Sequence, residues 1–176
     1  VEELKNIENN PAIHFDHSVP IEGVIAAVAR CIPDKVAVVT DKASFTYADI
    51  DRISTVMAKN LAALGVSKGM KVGVMIPRSE WMLLIPLAIM KAGAAYMPLD
   101  PTFPEERLTF MTDDAAVKTI VTVSGLADKV LPAFNGKIVD AVVLTQGDAD
   151  MVNEWVADSD SPFVVLYTSG STGKPK

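Results

Sequence analysis

Ten consecutive residues have the types and spacing to hold a phosphate group: Tyr167, Thr168, Ser169, Gly170, Ser171, Thr172, Gly173, Lys174, Pro175 and Lys176. Glycines let the backbone fold tightly and bring its N–H groups close to an anion. The hydroxyls of Thr168, Ser169, Ser171 and Thr172 add donors, and Lys174 and Lys176 add positive charge. The loop is not the common G-x-x-x-x-G-K-[ST] pattern. Counting back from Gly173 and Lys174 puts Thr168 where the first glycine belongs, and Pro175 stands where Ser or Thr should. Proline has no N–H, so Pro175 cannot extend a cradle of amides. Thr168 also breaks a G-x-G-x-x-G reading. The competing reading is a flexible Ser/Gly linker. Against it stands the apolar run Pro162–Tyr167, which reads as a strand feeding the loop.

Other constellations are weaker. His14 and His17 flank Asp16 at i, i+3 spacing, but Pro11 and Pro20 disfavour a helix there and no third metal ligand is near. They read as surface histidines. Cys31 lies in an apolar helical stretch and is expected to be a buried filler rather than a nucleophile. Asp113 and Asp114 read as solvated acids at a helix end, since a pair without a third oxygen ligand is a poor Mg²⁺ site. The stretch 98–104 holds Pro98, Pro101 and Pro104 and reads as a rigid strand exit, with Asp100 bonding the turn. No Ser–His–Asp or Cys–His set can be assembled.

The elements that must position the loop are legible along the chain. Ile21–Cys31 reads as a helix stopped by Pro33, Val36–Thr40 as a strand, and Ser44–Thr46 as its hairpin partner. Thr46 is expected to cap a long helix over 47–64, with Ile50, Ile53, Met57, Leu61 and Leu64 on one face and Gly65 as its stop. Lys71–Ile76 reads as a strand. A helix capped by Ser79 follows, running to about Ala92 with an irregularity at Pro86. Ala94–Pro98 reads as a strand, and Pro104 to Arg107 opens a helix whose first-turn acids suit the helix dipole. Val117–Val123 and Ile138–Leu144 read as strands, with a short helix over 126–131 between them. An acidic loop from Gln146 to Ser161, pinned by Trp155, leads to a final strand, Phe163–Tyr167. Strands alternating with helices predict an α/β fold with a mainly parallel sheet flanked by helices. Ligands bind beyond the carboxyl ends of such strands, which is where the loop would sit. Residues 1–19 read as a loosely attached leader and 20–176 as one unit.

Composition bounds the partners. The 176 residues are 49% hydrophobic and 22% charged, an ordinary globular mix. A net charge of −6 and a pI near 4.9 argue against nucleic acid or an anionic membrane as the main partner. The nearly apolar run from Trp81 to Leu99 is interrupted by Lys91, Pro86 and Gly93, so it reads as a buried helix and strand rather than a membrane span. A single cysteine and an acidic, polar start fit a cytoplasmic protein.

Three segments together resemble the adenylate-forming (AMP-binding) ligase superfamily. The first is Phe45 to Ile50, similar to the family's TY-x-EL helix start. The second runs from Met90 to Pro101, read as K-A-G-x-A-Y-x-P-x-D-P, and continues as P-x-E-R-L from Pro104 to Leu108. The third is Tyr167 to Lys176, similar to the signature phosphate loop. The second segment is most similar to amino-acid adenylation domains of nonribosomal peptide synthetases, with Ala94 where these often have glycine. The resemblance covers about residues 20 to 176 and implies an incomplete N-terminal part of the large domain. It implies activation of a carboxylic acid, most similar to amino-acid activation, by ATP as an acyl-adenylate with release of pyrophosphate. Transfer to a phosphopantetheine thiol, on a peptidyl carrier protein or CoA, would follow. By the same resemblance Thr168, Ser169, Gly170, Ser171, Thr172 and Gly173 would wrap the β- and γ-phosphates. Lys174 or Lys176 would offset their charge, with Lys176 favoured. The Mg²⁺ ligand, adenine pocket, acid-binding pocket and catalytic lysine of the family lie downstream, so the chain alone is expected to be inactive. Its end inside an exposed loop reads as a proteolytic cut in a longer protein, with a designed boundary as the rival. An acyl- or aryl-acid CoA ligase and a non-catalytic α/β binding module are the alternatives.

Overall fold

The computed structural model describes residues 19–127, 131–147 and 160–168. Within them the order is α1 (Ile21–Cys31), β1 (Val36–Val39), β2 (Ser44–Thr46), α2 (Tyr47–Ala63), β3 (Lys71–Met75), α3 (Trp81–Lys91), β4 (Ala95–Pro98), α4 (Glu105–Asp114), β5 (Thr119–Thr122), β6 (Lys137–Asp140) and α5 (Ala141–Leu144). Strands β1 and β2 form an antiparallel hairpin. The other four form a parallel sheet in the order β4-β3-β5-β6.

Local sequence explains the long helix. Thr46 Oγ1 accepts from the Asp49 N–H at 3.1 Å, and Asp49 Oδ2 accepts from the Thr46 N–H at 3.0 Å, a complete capping box. Gly65 ends the helix at a φ of +95°, a conformation that costs glycine little. Ile50, Met57 and Leu61 are buried and Ile53 and Leu64 partly so, as the helical spacing predicts.

Both faces of the sheet are covered. Val72, Val74 and Val121 pack with α2 and α3, whereas Met75, Met97 and Ile120 pack with Leu108 and Met111 of α4. Parallel strands buried on both sides are apolar at successive positions, as at Val72–Met75 of β3; in β5 Ile120 and Val121 are, while the flanking Thr119 and Thr122 are also buried. Gly73 at the centre of β3 is tightly packed: a Cβ there would lie 2.8 Å from Leu99 Cδ1 and 3.0 Å from Ile120 Cγ1, so these side chains would have to shift.

A buried ionic knot ties the helices on one face. Lys91 Nζ, at the end of α3, donates to Asp51 Oδ1 at 2.7 Å, Asp51 O at 3.0 Å and Thr55 Oγ1 at 2.9 Å, all on α2. Burial pushes the ammonium's pKa down, and Asp51 pulls it back up. Glu22 of α1 is 2% exposed and its Oε1 has no hydrogen-bond partner. Burial raises its pKa, offset by a backbone hydrogen bond and the charge of Lys91.

Four readings change. Residues 141–144 are helical rather than the end of a strand: Asp140 Oδ1 accepts from the Val142 N–H at 2.8 Å, and Ala141 and Leu144 turn inward while Val142 and Val143 stay out. That i, i+3 burial is a helical period hidden in a β-rich run. Ser79 does not cap α3: its hydroxyl donates to Pro77 O, and the cap position is Glu80. Cys31 is exposed, because the inward face of α1 is Glu22, Ala26 and Ala29. Phe163–Tyr167 is not a full strand. It makes one parallel bridge, Val164 with Tyr96. The leader up to residue 18, both histidines, Trp155 and residues 128–130 of the 126–131 helix lie outside the described residues.

Candidate functional site

The carboxyl ends of β3 and β4 and the segment 160–168 enclose a cleft of about 620 Å³. Its floor is apolar, from Val74, Leu99 and Met111. Tyr96 and Tyr167 line it, and Arg78 and Asp100 stand exposed at its rim. This is the position at which open parallel sheets bind ligands, since their loops converge there.

The rim turn is preorganised. Asp100 Oδ1 accepts from the Thr102 Oγ1 hydroxyl at 2.7 Å and the Thr102 N–H at 2.8 Å, as the sequence suggested. The two bonds, the hydroxyl first, hold the Asp100 carboxyl below its ordinary pKa, so it is a fixed negative charge. Pro104 stands at the N-cap of α4, and the Arg107 guanidinium lies 4.0 Å from the Phe103 ring centroid. The proline-rich stretch is a hydrogen-bonded turn that leads from the end of β4 into the start of α4.

The segment leading to the loop is tied at its root. The Tyr96 N–H donates to Phe163 O and the Val165 N–H donates to Tyr96 O, both at 2.9 Å. The rings of Tyr96 and Phe163 meet at 6.3 Å between centroids, tilted by 46°. Val165 and Tyr167 pack against the core on the α4 side. The Tyr167 hydroxyl donates to Asp114 Oδ2. Burial first, then Asp114, push that hydroxyl's pKa up to about 12.

Of the residues assigned to phosphate binding, Thr168 is described and exposed, immediately beyond the tied segment. Ser169, Gly170, Ser171, Thr172, Gly173, Lys174 and Lys176 lie outside the described residues. Asp113 and Asp114 are both exposed, and Asp114 also accepts the bond from Tyr167. Among the described residues no group of three His, Cys, Asp or Glu could hold a metal, and no helix is long and apolar enough to cross a membrane. Sequence reasoning passed over Arg78, although its place just after β3 at a strand's carboxyl end is itself a signal. It also missed the pairing of Asp114 with Tyr167, for which a separation of 53 residues leaves none.

Fold and cleft together define an α/β protein whose candidate site lies at the carboxyl edge of a parallel sheet, where the described chain ends at Thr168, the first residue of the Ser/Thr/Gly run in the sequence. The family model described as AMP-binding enzyme matches residues 25–176, and the chain belongs to that family. A linear gramicidin synthase of Brevibacillus parabrevis is 40% identical over 173 residues, covering 96% of this chain and 3% of the synthase. The nonribosomal peptide synthetase FmoA3, solved with α-methyl-L-serine-AMP bound, superposes with a TM-score of 0.81 at 28% identity, covering 99% of this chain and 19% of that one. The N-terminal subdomain of Klebsiella oxytoca NpsA gives a TM-score of 0.78 at 25% identity over 91% of this chain and 41% of that one. The chain thus spans a small part of the curated relatives it matches, and its relatives place it with the adenylation domains of nonribosomal peptide synthetases.

Proposed function

We propose that this chain is the loop-bearing part of an adenylation domain that, in the whole protein, activates an amino acid with ATP. A substrate carboxylate oxygen attacks the α-phosphorus, the bond to the bridging oxygen breaks, and pyrophosphate leaves. A phosphopantetheine thiol of a carrier protein then attacks the acyl carbon, and AMP leaves. Residues Thr168 to Gly173 would present amides and hydroxyls to the β- and γ-phosphates, and Lys174 or Lys176, with Lys176 favoured, would neutralise the charge that develops on the leaving group. Mg²⁺, held by residues beyond this chain, would add to that neutralisation. The acidic chain, with two lysines concentrated at its loop, suits one bound nucleotide rather than a nucleic acid. A reducing cytoplasm fits the single exposed thiol.

The observation that carries this reading is the coincidence of the family match over 25–176 with a segment tied to β4 at Val164, which leads in sequence into the hydroxyl-and-glycine run from Thr168. The test is ATP–pyrophosphate exchange by a longer protein containing residues 1–176, with the twenty common amino acids and a set of aryl and fatty acids. Exchange dependent on one amino acid supports the reading. Exchange only with an aryl or fatty acid replaces it with a CoA ligase. A folded protein that exchanges with none of these acids leaves a binding module. The 176-residue chain by itself is expected to give no exchange.

A further inference from the structure

We propose that Tyr167 is a positioning residue for the phosphate loop, and that its hydrogen bond to Asp114 sets where the loop leaves the sheet. This rests on the function proposed above. Three features carry it. The first is that sheet pairing cannot do the job. After the Tyr96–Val164 bridge, the next ladder bond in a parallel pair would run from the N–H of residue 98 to Val165 O. Residue 98 is proline and has no N–H. The ladder stops short of the loop.

The second is where Asp114 stands. It is the last residue of α4, next to Asp113, at the end of a helix where a carboxylate is disfavoured by the dipole. A solvated acid gains nothing from that position, whereas one that receives an O–H from a distant segment has a use there. The third is Tyr167 itself. It is the residue directly before Thr168, its ring lines the cleft, and it packs on the same core as α4. With its hydroxyl pushed to about pH 12, it stays a protonated donor across the ordinary pH range. It therefore acts as a fastening and not as an acid or base. One hydrogen bond to a charged acceptor then replaces the ladder bond that Pro98 forbids, and holds Thr168 beside the strand ends.

Two experiments test this. In the first, amide hydrogen exchange is followed in the 176-residue chain carrying Tyr167→Phe or Asp114→Asn. Each variant should speed exchange at Val165 roughly ten-fold, the size of one charge-assisted hydrogen bond, and leave Ile120 to Thr122 of β5 unchanged. Unchanged exchange at Val165 in both variants overturns the fastening. In the second, the same variants are placed in the longer protein and ATP–pyrophosphate exchange is measured. The KM for ATP should rise roughly ten-fold while the KM for the amino acid stays put, and the double variant should be no worse than either single one. Equal rises in both KM values, or additive losses, reduce Tyr167 to a structural residue and overturn its positioning role. Faster exchange at Val165 in a longer protein that is folded but inactive overturns the phosphate-loop reading instead, and the fastening stands.

Discussion

Strand β3 and the segment 163–167 are both largely apolar stretches of five residues, Lys-Val-Gly-Val-Met and Phe-Val-Val-Leu-Tyr, and their fates differ. Strand β3 pairs with β4 and β5 at four positions each, and Val72 to Met75 are buried. The other run makes one bridge, and Phe163 and Leu166 remain 54% and 64% exposed. The difference lies in the neighbours. Strand β3 sits between two strands that each offer N–H and C=O groups, whereas the edge run meets β4 where Pro98 ends the supply of donors. The centre is bonded on both sides and the edge run is held by a single bridge, so local opening should cost less at the edge than in β3.

Breaking the scaffold side should give the largest effects. Lys91→Ala would leave the partly buried Asp51 carboxylate without its cation and should cost about 2–3 kcal/mol of stability, read as a fall in the urea midpoint. The loss should be shared by the whole sheet, whereas changes at Tyr167 stay local. Gly73→Ala should cost about 1–3 kcal/mol by overpacking against Leu99 and Ile120, and a fully stable variant would show that the sheet centre is looser than its contacts imply.

A smaller effect should appear with pH. The Glu22 carboxyl has a native pKa above its ordinary value of 4.5, so the native state holds its proton more tightly than the unfolded chain. Its contribution is full below that ordinary value and is lost as pH rises through the raised native value. Glu22→Gln cannot titrate. Its stability relative to the parent should therefore improve between pH 4 and pH 7, and parallel pH profiles would remove Glu22 from the account. The smallest effect belongs to the edge. Pro98→Val restores an N–H opposite Val165 O and should add about 0.5–1 kcal/mol of local protection at 165–167 in hydrogen exchange, narrowing the contrast with β3.

Much of this architecture could be read directly. The cap at Thr46, the Gly65 stop, the run of β3 and the Asp100 turn are short-range patterns that need only a few neighbouring residues. Three misreadings share another cause. Val142 and Val143 favour a strand by type, but the cap at Asp140 and the burial of Ala141 and Leu144 make a helical turn. Cys31 is apolar in character yet lies off the inward face of α1. The final run has strand composition but lacks a partner able to extend the pairing.

The sequence by itself determined the α/β alternation, the Thr46 cap and the Gly65 stop of α2, and the donor types present in the run 168–176, because backbone preference, hydrophobic period and donor type are properties of residues close together along the chain. Only the tertiary structure decided that Lys91 meets Asp51 forty residues away, that Pro98 halts the edge ladder, and that Tyr167 reaches Asp114. Those contacts depend on which elements pack side by side, and that choice is made by burial summed over the whole core rather than by any one segment.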